Sequence, residues 1–274
     1  MWVMPAAQNP TPSERPVIAF FDVDNTLMHG TSVFHVGREA WARGIIGWRD
    51  ILLFGWHQRR FIKVGENHEH MGTAKDRALG LIAGHTEAQI QELAQSIWEH
   101  RIRPRLWPET VALAHEHIDK GHQVWLVSAT PVEVGELIAT KLGLTGALGT
   151  RVEAVDGVYT GRLIGQVLHA ENKAVAAREL ADGMDADLAA SWAYSDSRND
   201  IPLLELVGNR VAVNPDAGLA RYAAEKHWPT MRLDPTAIKA QQRLVRREAK
   251  QVNTAAARKA QKAAAKAAKT KPRG

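Results

Sequence analysis

The 274-residue chain contains no cysteine. That excludes disulfide staples and thiolate metal sites, and it fits a reducing compartment, with the cytoplasm as the expected location. Long apolar runs are also missing: each is interrupted by Arg, His or Gly before the roughly 20 residues that a membrane-spanning helix needs. Residues Met1 to Pro16 lack a basic segment followed by an apolar one and are rich in Pro, Asn, Gln and Ser, so they read as a flexible leader rather than a secretion signal. Acid is scarce at the other end. From Ile238 to Gly274 there are twelve Lys or Arg against one acid, Glu248, so this stretch carries +11 and the remainder −6. Its large apolar residues are only Ile238, Leu244, Val245 and Val252, too few to bury a core, and without an aromatic residue it offers no platform for base stacking. It reads as a solubilising tail or as an electrostatic anchor for nucleic acid or anionic lipid.

What is present is a globular composition, 45% hydrophobic, and one segment of unusual character. Val17 to Phe21 has the length and the β-branched and aromatic content of a fully buried strand, and it ends abruptly in Asp22-Val23-Asp24-Asn25-Thr26. Strands of parallel sheets present functional residues at their carboxyl ends. Two carboxylates spaced by one residue fall on the same side of an extended chain, where their repulsion calls for a cation. Oxygen ligands at a strand end suit Mg²⁺ together with a phosphate. The alternative is that Asp22 and Asp24 cap the following helix.

The rest of the chain alternates helix and strand. Thr31 to Arg103 shows helical periodicity, including Thr86 to His100, and contains no convincing strand. Beyond it a helix over Glu109 to Lys120 stops at Gly121, and a strand over His122 to Val127 ends in Ser128-Ala129-Thr130-Pro131. Pro131 opens a helix over Val132 to Leu142. Asp156-Gly157 joins Thr150–Val155 to Val158–Leu163 as a hairpin. Lys173 opens a helix to Asp182, and a strand over Leu188 to Tyr194 leads into Ser195-Asp196-Ser197-Arg198-Asn199-Asp200. A last strand covers Asn209 to Val213, followed by a helix to about Ala224. The predicted fold is α/β: a Rossmann-like parallel sheet flanked by helices, with a helical cap inserted after the first strand. The predicted segments are a leader (1–15), a catalytic core (16–30 and 104–232), a cap (31–103) and a basic Ala/Lys-rich tail (233–274). Successive strand ends then gather Asp22, Ser128, Lys173 and Asp196 in one crevice.

Four motifs in order, Asp22-Val23-Asp24-Asn25-Thr26, Ser128, Lys173 and Asp196-Ser197-Arg198-Asn199-Asp200, resemble the haloacid dehalogenase superfamily of phosphohydrolases. The subclass is IB, that of phosphoserine-phosphatase-like enzymes. The resemblance implies Mg²⁺ as cofactor, held by Asp22, the main-chain carbonyl of Asp24, and Asp196. It implies Asp22 as a nucleophile that carries an aspartyl-phosphate, with Asp24 as proton donor to the leaving oxygen and then base for water. It also implies Ser128, the Ala129 N–H and Lys173 as phosphoryl-binding groups, with Asn199 contacting phosphate and Asp200 in support. Taken singly, Ser128 is more often a cap, Lys173 a solvated charge, and Asp196 and Asp200 turn residues; their joint occurrence at strand ends carries the reading.

The expected substrate is a small phosphorylated metabolite, phosphoserine-like or related. Phosphoserine phosphatases carry a glutamate nine positions after the nucleophile; here that position is Thr31, whose hydroxyl cannot pair with an ammonium as a carboxylate can. In the cap, which also contains His35 and His57, Trp41, Trp48, Trp56 and Trp98 read as core, with an apolar substrate pocket as the alternative; Arg59 and Arg60 read as exposed surface charges, with steering of an anionic substrate as the alternative; and Glu66-Asn67-His68-Glu69-His70 reads as a solvated loop that fits no zinc spacing. The competing functions are a phosphotransferase, a nucleic-acid-end phosphatase guided by the tail, and a non-enzymatic binding protein on the same scaffold.

Overall fold

The computed structural model describes residues 15–42, 79, 80, 82–245 and 247. Its strands are β1 (Ile18–Asp22), β2 (Gln123–Pro131), β3 (Gly146–Val155), β4 (Val158–Ile164), β5 (Trp192–Ser195), β6 (Asn209–Val213) and β7 (Thr230–Met231). They form one sheet in the order β4-β3-β2-β1-β5-β6-β7, parallel throughout except for the β3–β4 hairpin. The Asp156-Gly157 turn has positive φ at both residues, 50° and 75°, which is what a two-residue hairpin with native twist requires.

The sheet is covered on both faces, which explains why β1 is apolar at every position up to Asp22. Ala19 and Phe21 pack toward Leu113 and Ala114 of α3 (Pro108–Asp119) and Val134 and Ile138 of α4 (Val132–Leu142). Ile18 and Phe20 pack the opposite way, toward α5 (Glu171–Gly183), α6 (Ile201–Leu206) and α7 (Ala217–Glu225). Each buried Phe contributes about 1.5–3 kcal/mol relative to exposure. The core thereby fixes the register Phe21↔Leu126 and Phe21↔Tyr194, and with it the height at which Asp22 emerges.

The insertion after β1 contains α1 (Ser32–Ala42) and α2 (Glu87–Ile97), the latter opened by a Thr86/Gln89 capping box and continued by a π-helical turn over Trp98–Ile102. Its two ends are tied together: His29 N donates to Arg105 O at 2.8 Å and Trp107 N to Leu27 O at 2.9 Å. The far side rests on the hairpin, through Gly84 N to Tyr159 O, Tyr159 N to His85 O and Glu87 N to Gly157 O, at 2.8–2.9 Å.

Several elements differ from expectation. Asn209–Val213 is not the last strand, because β7 pairs with it in parallel, and β2 runs on to Pro131 past the predicted end at Val127. The strand predicted from Leu188 begins only at Trp192, because the Asp187 side chain takes the N–H groups of Ala189 and Ala190 at 2.9 and 3.1 Å and turns the backbone out of the ladder. The strand β3 starts at Gly146 rather than Thr150: its first part pairs with β2 and only its end makes the hairpin. The stretch after Leu233 is helical over 235–245, with Leu233, Ile238 and Val245 buried, so the segment read as wholly solvated begins by packing on the core. The leader to residue 14, Trp48, Trp56, His57, Arg59, Arg60, Glu66–His70 and the tail beyond 247 lie outside the described residues. No described helix is long and apolar enough to cross a membrane.

Candidate active site

At the end of β1 the carboxylate of Asp22, 4% exposed, is gripped from two sides. Lys173 Nζ from the first turn of α5 donates to Oδ1 at 2.6 Å, and the Thr26 hydroxyl donates to Oδ2 at 3.1 Å. The same ammonium donates to Asp200 Oδ2 at 2.8 Å, which also accepts the Ser195 hydroxyl at 2.7 Å. Lys173 and Asp200 are 5% and 2% exposed. Burial disfavours the charged form of Lys173, but Asp22 and Asp200 outweigh it and hold the ammonium protonated well above lysine's ordinary range. For Asp22 burial pushes upward, Lys173 opposes, and Asp200, Asp196 and Asp24 add to the rise.

The turn that follows is built around Asn25, in the left-handed region at φ 56°, whose side chain accepts the Gly30 N–H at 2.9 Å. This closed loop brings the start of α1 back to the strand end, where Ser32 N donates to Asp24 Oδ1 at 2.7 Å. Burial raises Asp24, opposed by the bonds from Ser32. Asp196, after β5, is pushed up to about 7, chiefly by burial, with an Asn25 hydrogen bond opposing and Asp200 adding.

The carboxyl end of β2 supplies hydroxyls. Ser128 Oγ lies 2.8 Å from Thr130 Oγ1 and accepts the Thr130 N–H at 3.2 Å, and Thr130 Oγ1 lies 2.6 Å from Ser32 Oγ. The strand leaves its ladder here, with the β2–β3 register shifting between Val127 and Pro131. The Ala129 carbonyl accepts the Thr150 hydroxyl at 2.7 Å. Gly149 permits this approach: a Cβ there would sit 2.6 Å from Val132 Cα and 2.9 Å from Thr130 O.

Of the residues singled out in the sequence, Asp22, Lys173 and Asp200 are joined directly. Asp24 and Asp196 lie within electrostatic reach of them, and Ser128 connects through Thr130 and Ser32 to Asp24. Asn199 contributes a backbone N–H to Ser197 Oγ at 3.2 Å. Thr31 is exposed; the buried hydroxyl of that turn is its neighbour Ser32. Sequence reasoning missed Thr26, Ser32, Thr130 and Ser195. Only their closeness to the four motifs could have marked them.

Four carboxylates, Asp22, Asp24, Asp196 and Asp200, surround one ammonium. This donor set fits a divalent cation: the excess negative charge needs one, and hard oxygen ligands suit Mg²⁺. Among the described residues no three His, Cys, Asp or Glu side chains form a ready cage. A sparser set, two carboxylates with one main-chain carbonyl, would suit an ion that keeps several of its waters.

Residues 19–205 match the model of the haloacid dehalogenase-like hydrolase family. The chain is 45% identical over 218 residues to phosphoserine phosphatase SerB1 of Mycobacterium tuberculosis, covering 79% of this chain and 71% of that one. It is 30% identical over 221 residues to a histidinol-phosphatase of Neisseria meningitidis serogroup C, covering 78% and 97%. A crystal structure of a protein of unknown function from Bordetella pertussis Tohama I superposes with TM-score 0.71 at 30% identity, covering 79% of this chain and 98% of that one. With four ordered motifs converging on one strand-end crevice and the match spanning most of the sheet, the chain belongs to the haloacid dehalogenase-like hydrolase family.

Proposed function

We propose that the protein is a Mg²⁺-dependent phosphomonoester hydrolase that works through an aspartyl-phosphate on Asp22 and acts on a small phosphorylated metabolite. The observation that carries this reading is the Asp22–Lys173–Asp200 network at the end of β1, buried yet charged. Such networks contribute little net stability, because desolvation offsets their attraction, so chemistry is the better reason for this one.

Lys173 fixes one oxygen of Asp22 and Thr26 the other, so the carboxylate is oriented before substrate arrives. An Asp22 oxygen attacks phosphorus as the bond to the ester oxygen breaks, and the Asp24 carboxyl gives its proton to that departing oxygen. Asp24, now a carboxylate, takes a proton from the water that attacks the aspartyl-phosphate, which frees Asp22 and inorganic phosphate. Ser128, the Ala129 N–H, Lys173 and Asn199 hold the phosphoryl oxygens, and Asp200 keeps Lys173 aimed. Asp22, the Asp24 carbonyl and Asp196 would hold Mg²⁺, which would supply positive charge to offset the repulsion between carboxylate and phosphate.

The named relatives are phosphatases of phosphoserine and of histidinol phosphate, both small monoesters. The deciding experiment is turnover of phosphoserine, histidinol phosphate, sugar phosphates and nucleotides, with and without Mg²⁺. At least one monoester is hydrolysed only with Mg²⁺, and Asp22→Asn abolishes it. Retained Mg²⁺-dependent turnover in that variant would overturn the reading.

A further inference from the structure

The contacts among Ser32, Thr130 and Ser128 leave little freedom once their hydrogens are counted. All three hydroxyls are buried, and two contacts, 2.6 and 2.8 Å, link them in series with Thr130 in the middle. Each hydroxyl has one hydrogen to give and two lone pairs to receive with. If Ser128 is to donate to a phosphoryl oxygen, its hydrogen is committed outward, so the Thr130–Ser128 contact must be filled by the Thr130 hydrogen. Thr130 then has none for Ser32, and the Ser32 hydrogen must fill that contact. In this arrangement Ser128 receives both the Thr130 N–H, at 3.2 Å, and the Thr130 O–H, and its remaining direction is a donor. With the opposite arrangement Ser128 spends its hydrogen on Thr130 and turns only lone pairs toward an anion.

We infer that Thr130 and Ser32 are positioning residues, a hydroxyl relay in which Ser32 donates to Thr130, Thr130 to Ser128, and Ser128 to the phosphoryl oxygen of the substrate. The inference rests on the phosphohydrolase reading for the identity of that oxygen. Because Ser32 is the first residue of α1, the relay makes the seating of the inserted segment part of phosphate recognition. Ser32 also holds Asp24, through its N–H and through a side-chain contact; with the Ser32 hydrogen committed to Thr130, that second contact is filled by the proton of the Asp24 carboxyl, so one residue joins the phosphoryl-binding group to the proposed proton donor.

The test turns on shape against hydroxyl. Thr130→Val keeps the shape and loses the hydroxyl; Thr130→Ser keeps the hydroxyl and loses a methyl. With p-nitrophenyl phosphate and Mg²⁺, kcat/KM falls about tenfold or more in Thr130→Val, the worth of one hydrogen bond in the transition state, and stays within about threefold of wild type in Thr130→Ser. Orthovanadate inhibition weakens in the same order. Ser32→Ala lies between, and the Ser32→Ala/Thr130→Val pair is no worse than Thr130→Val alone, because both interrupt one chain. If packing alone were at stake the order would reverse, with Val tolerated and Ser impaired, and the relay would be overturned. Should Thr130→Val not fold, Ser32→Ala and Thr130→Ser carry the comparison, and wild-type values for Ser32→Ala overturn the relay. Inorganic phosphate binding by calorimetry separates the two readings. A wild-type protein that binds phosphate without hydrolysing any ester, with binding weakened in Thr130→Val, keeps the relay and loses the phosphatase. Full activity in Thr130→Val does the reverse, and absence of both binding and turnover in wild type removes both.

Discussion

Tyr194 and Ser195 are neighbours on β5, point to opposite faces of the sheet, and each anchors a buried polar network of a different kind. Ser195 joins Asp200, Lys173 and Asp22, a charged cluster at the carboxyl end of the strands. Tyr194 lies 2.8 Å from His117 Nε2, and His117 Nδ1 lies 2.8 Å from His122 Nδ1, a chain of neutral groups. It is walled by the Phe21 ring, stacked on Tyr194 at 4.3 Å, and by Trp192. The neutral network satisfies every polar group it buries and lets aromatic rings fill the rest, as a network serving the core should. The charged one keeps four carboxylates against a single ammonium, an imbalance that stability alone would not select. One residue step along a strand therefore separates chemistry from support.

The comparison breaks most decisively at Lys173. Lys173→Met leaves Asp22 and Asp200 facing each other unpaired, so the metal-free protein loses about 3–5 kcal/mol in denaturant unfolding and turnover falls at least about a hundredfold. If activity survives, the charged network is not the working one. A smaller effect comes from Ser195→Ala, which removes a donor from Asp200 and costs about 1–3 kcal/mol by the same unfolding measurement, with Mg²⁺-dependent turnover lowered but not abolished. The smallest near neutral pH, which grows only as acid is added, lies on the neutral side. Burial, with His122 and Lys120 adding, pushes His117 down to about 3. The unfolded chain binds this proton near the ordinary value of 6.5 and the folded one does not, so the contribution is complete above 6.5 and is lost progressively as pH falls toward about 3. The slope is at most about 1.4 kcal/mol per pH unit. His117→Gln should flatten it in pH-dependent unfolding while leaving the Mg²⁺ requirement intact. An equal loss of activity in His117→Gln and Lys173→Met would erase the distinction between the two networks.

The strand ends were legible in the sequence because an Asp closing a buried strand is chemically conspicuous, and Lys173, at the start of a helix, was marked by its place among the four ordered motifs. Asp22, Lys173 and Asp200 meet as their positions suggested. The hydroxyls were not legible, since Ser and Thr are common in turns and caps, and only tertiary packing reveals that Ser32, Thr130 and Ser128 share one line. Attention to Thr31 fell one residue short: the helix that starts at Ser32 turns Thr31 outward and Ser32 in. The burial of Ile238 was hidden for a related reason, because a lone apolar residue amid Lys, Gln and Ala shows no periodicity until the surface that receives it is known.

The paired backbone of His29 and Arg105 has a consequence for how the chain assembles and diversifies. An insertion whose ends are already bonded counts, for the sheet, as a short loop, and lengthening a closed loop is entropically cheap, about 0.6 kcal/mol for each doubling. The strands can find their register whether or not the excursion has folded. The excursion can in turn be exchanged, lengthened or reshaped between those two residues as a cassette, provided that its first turn still delivers a serine to Thr130.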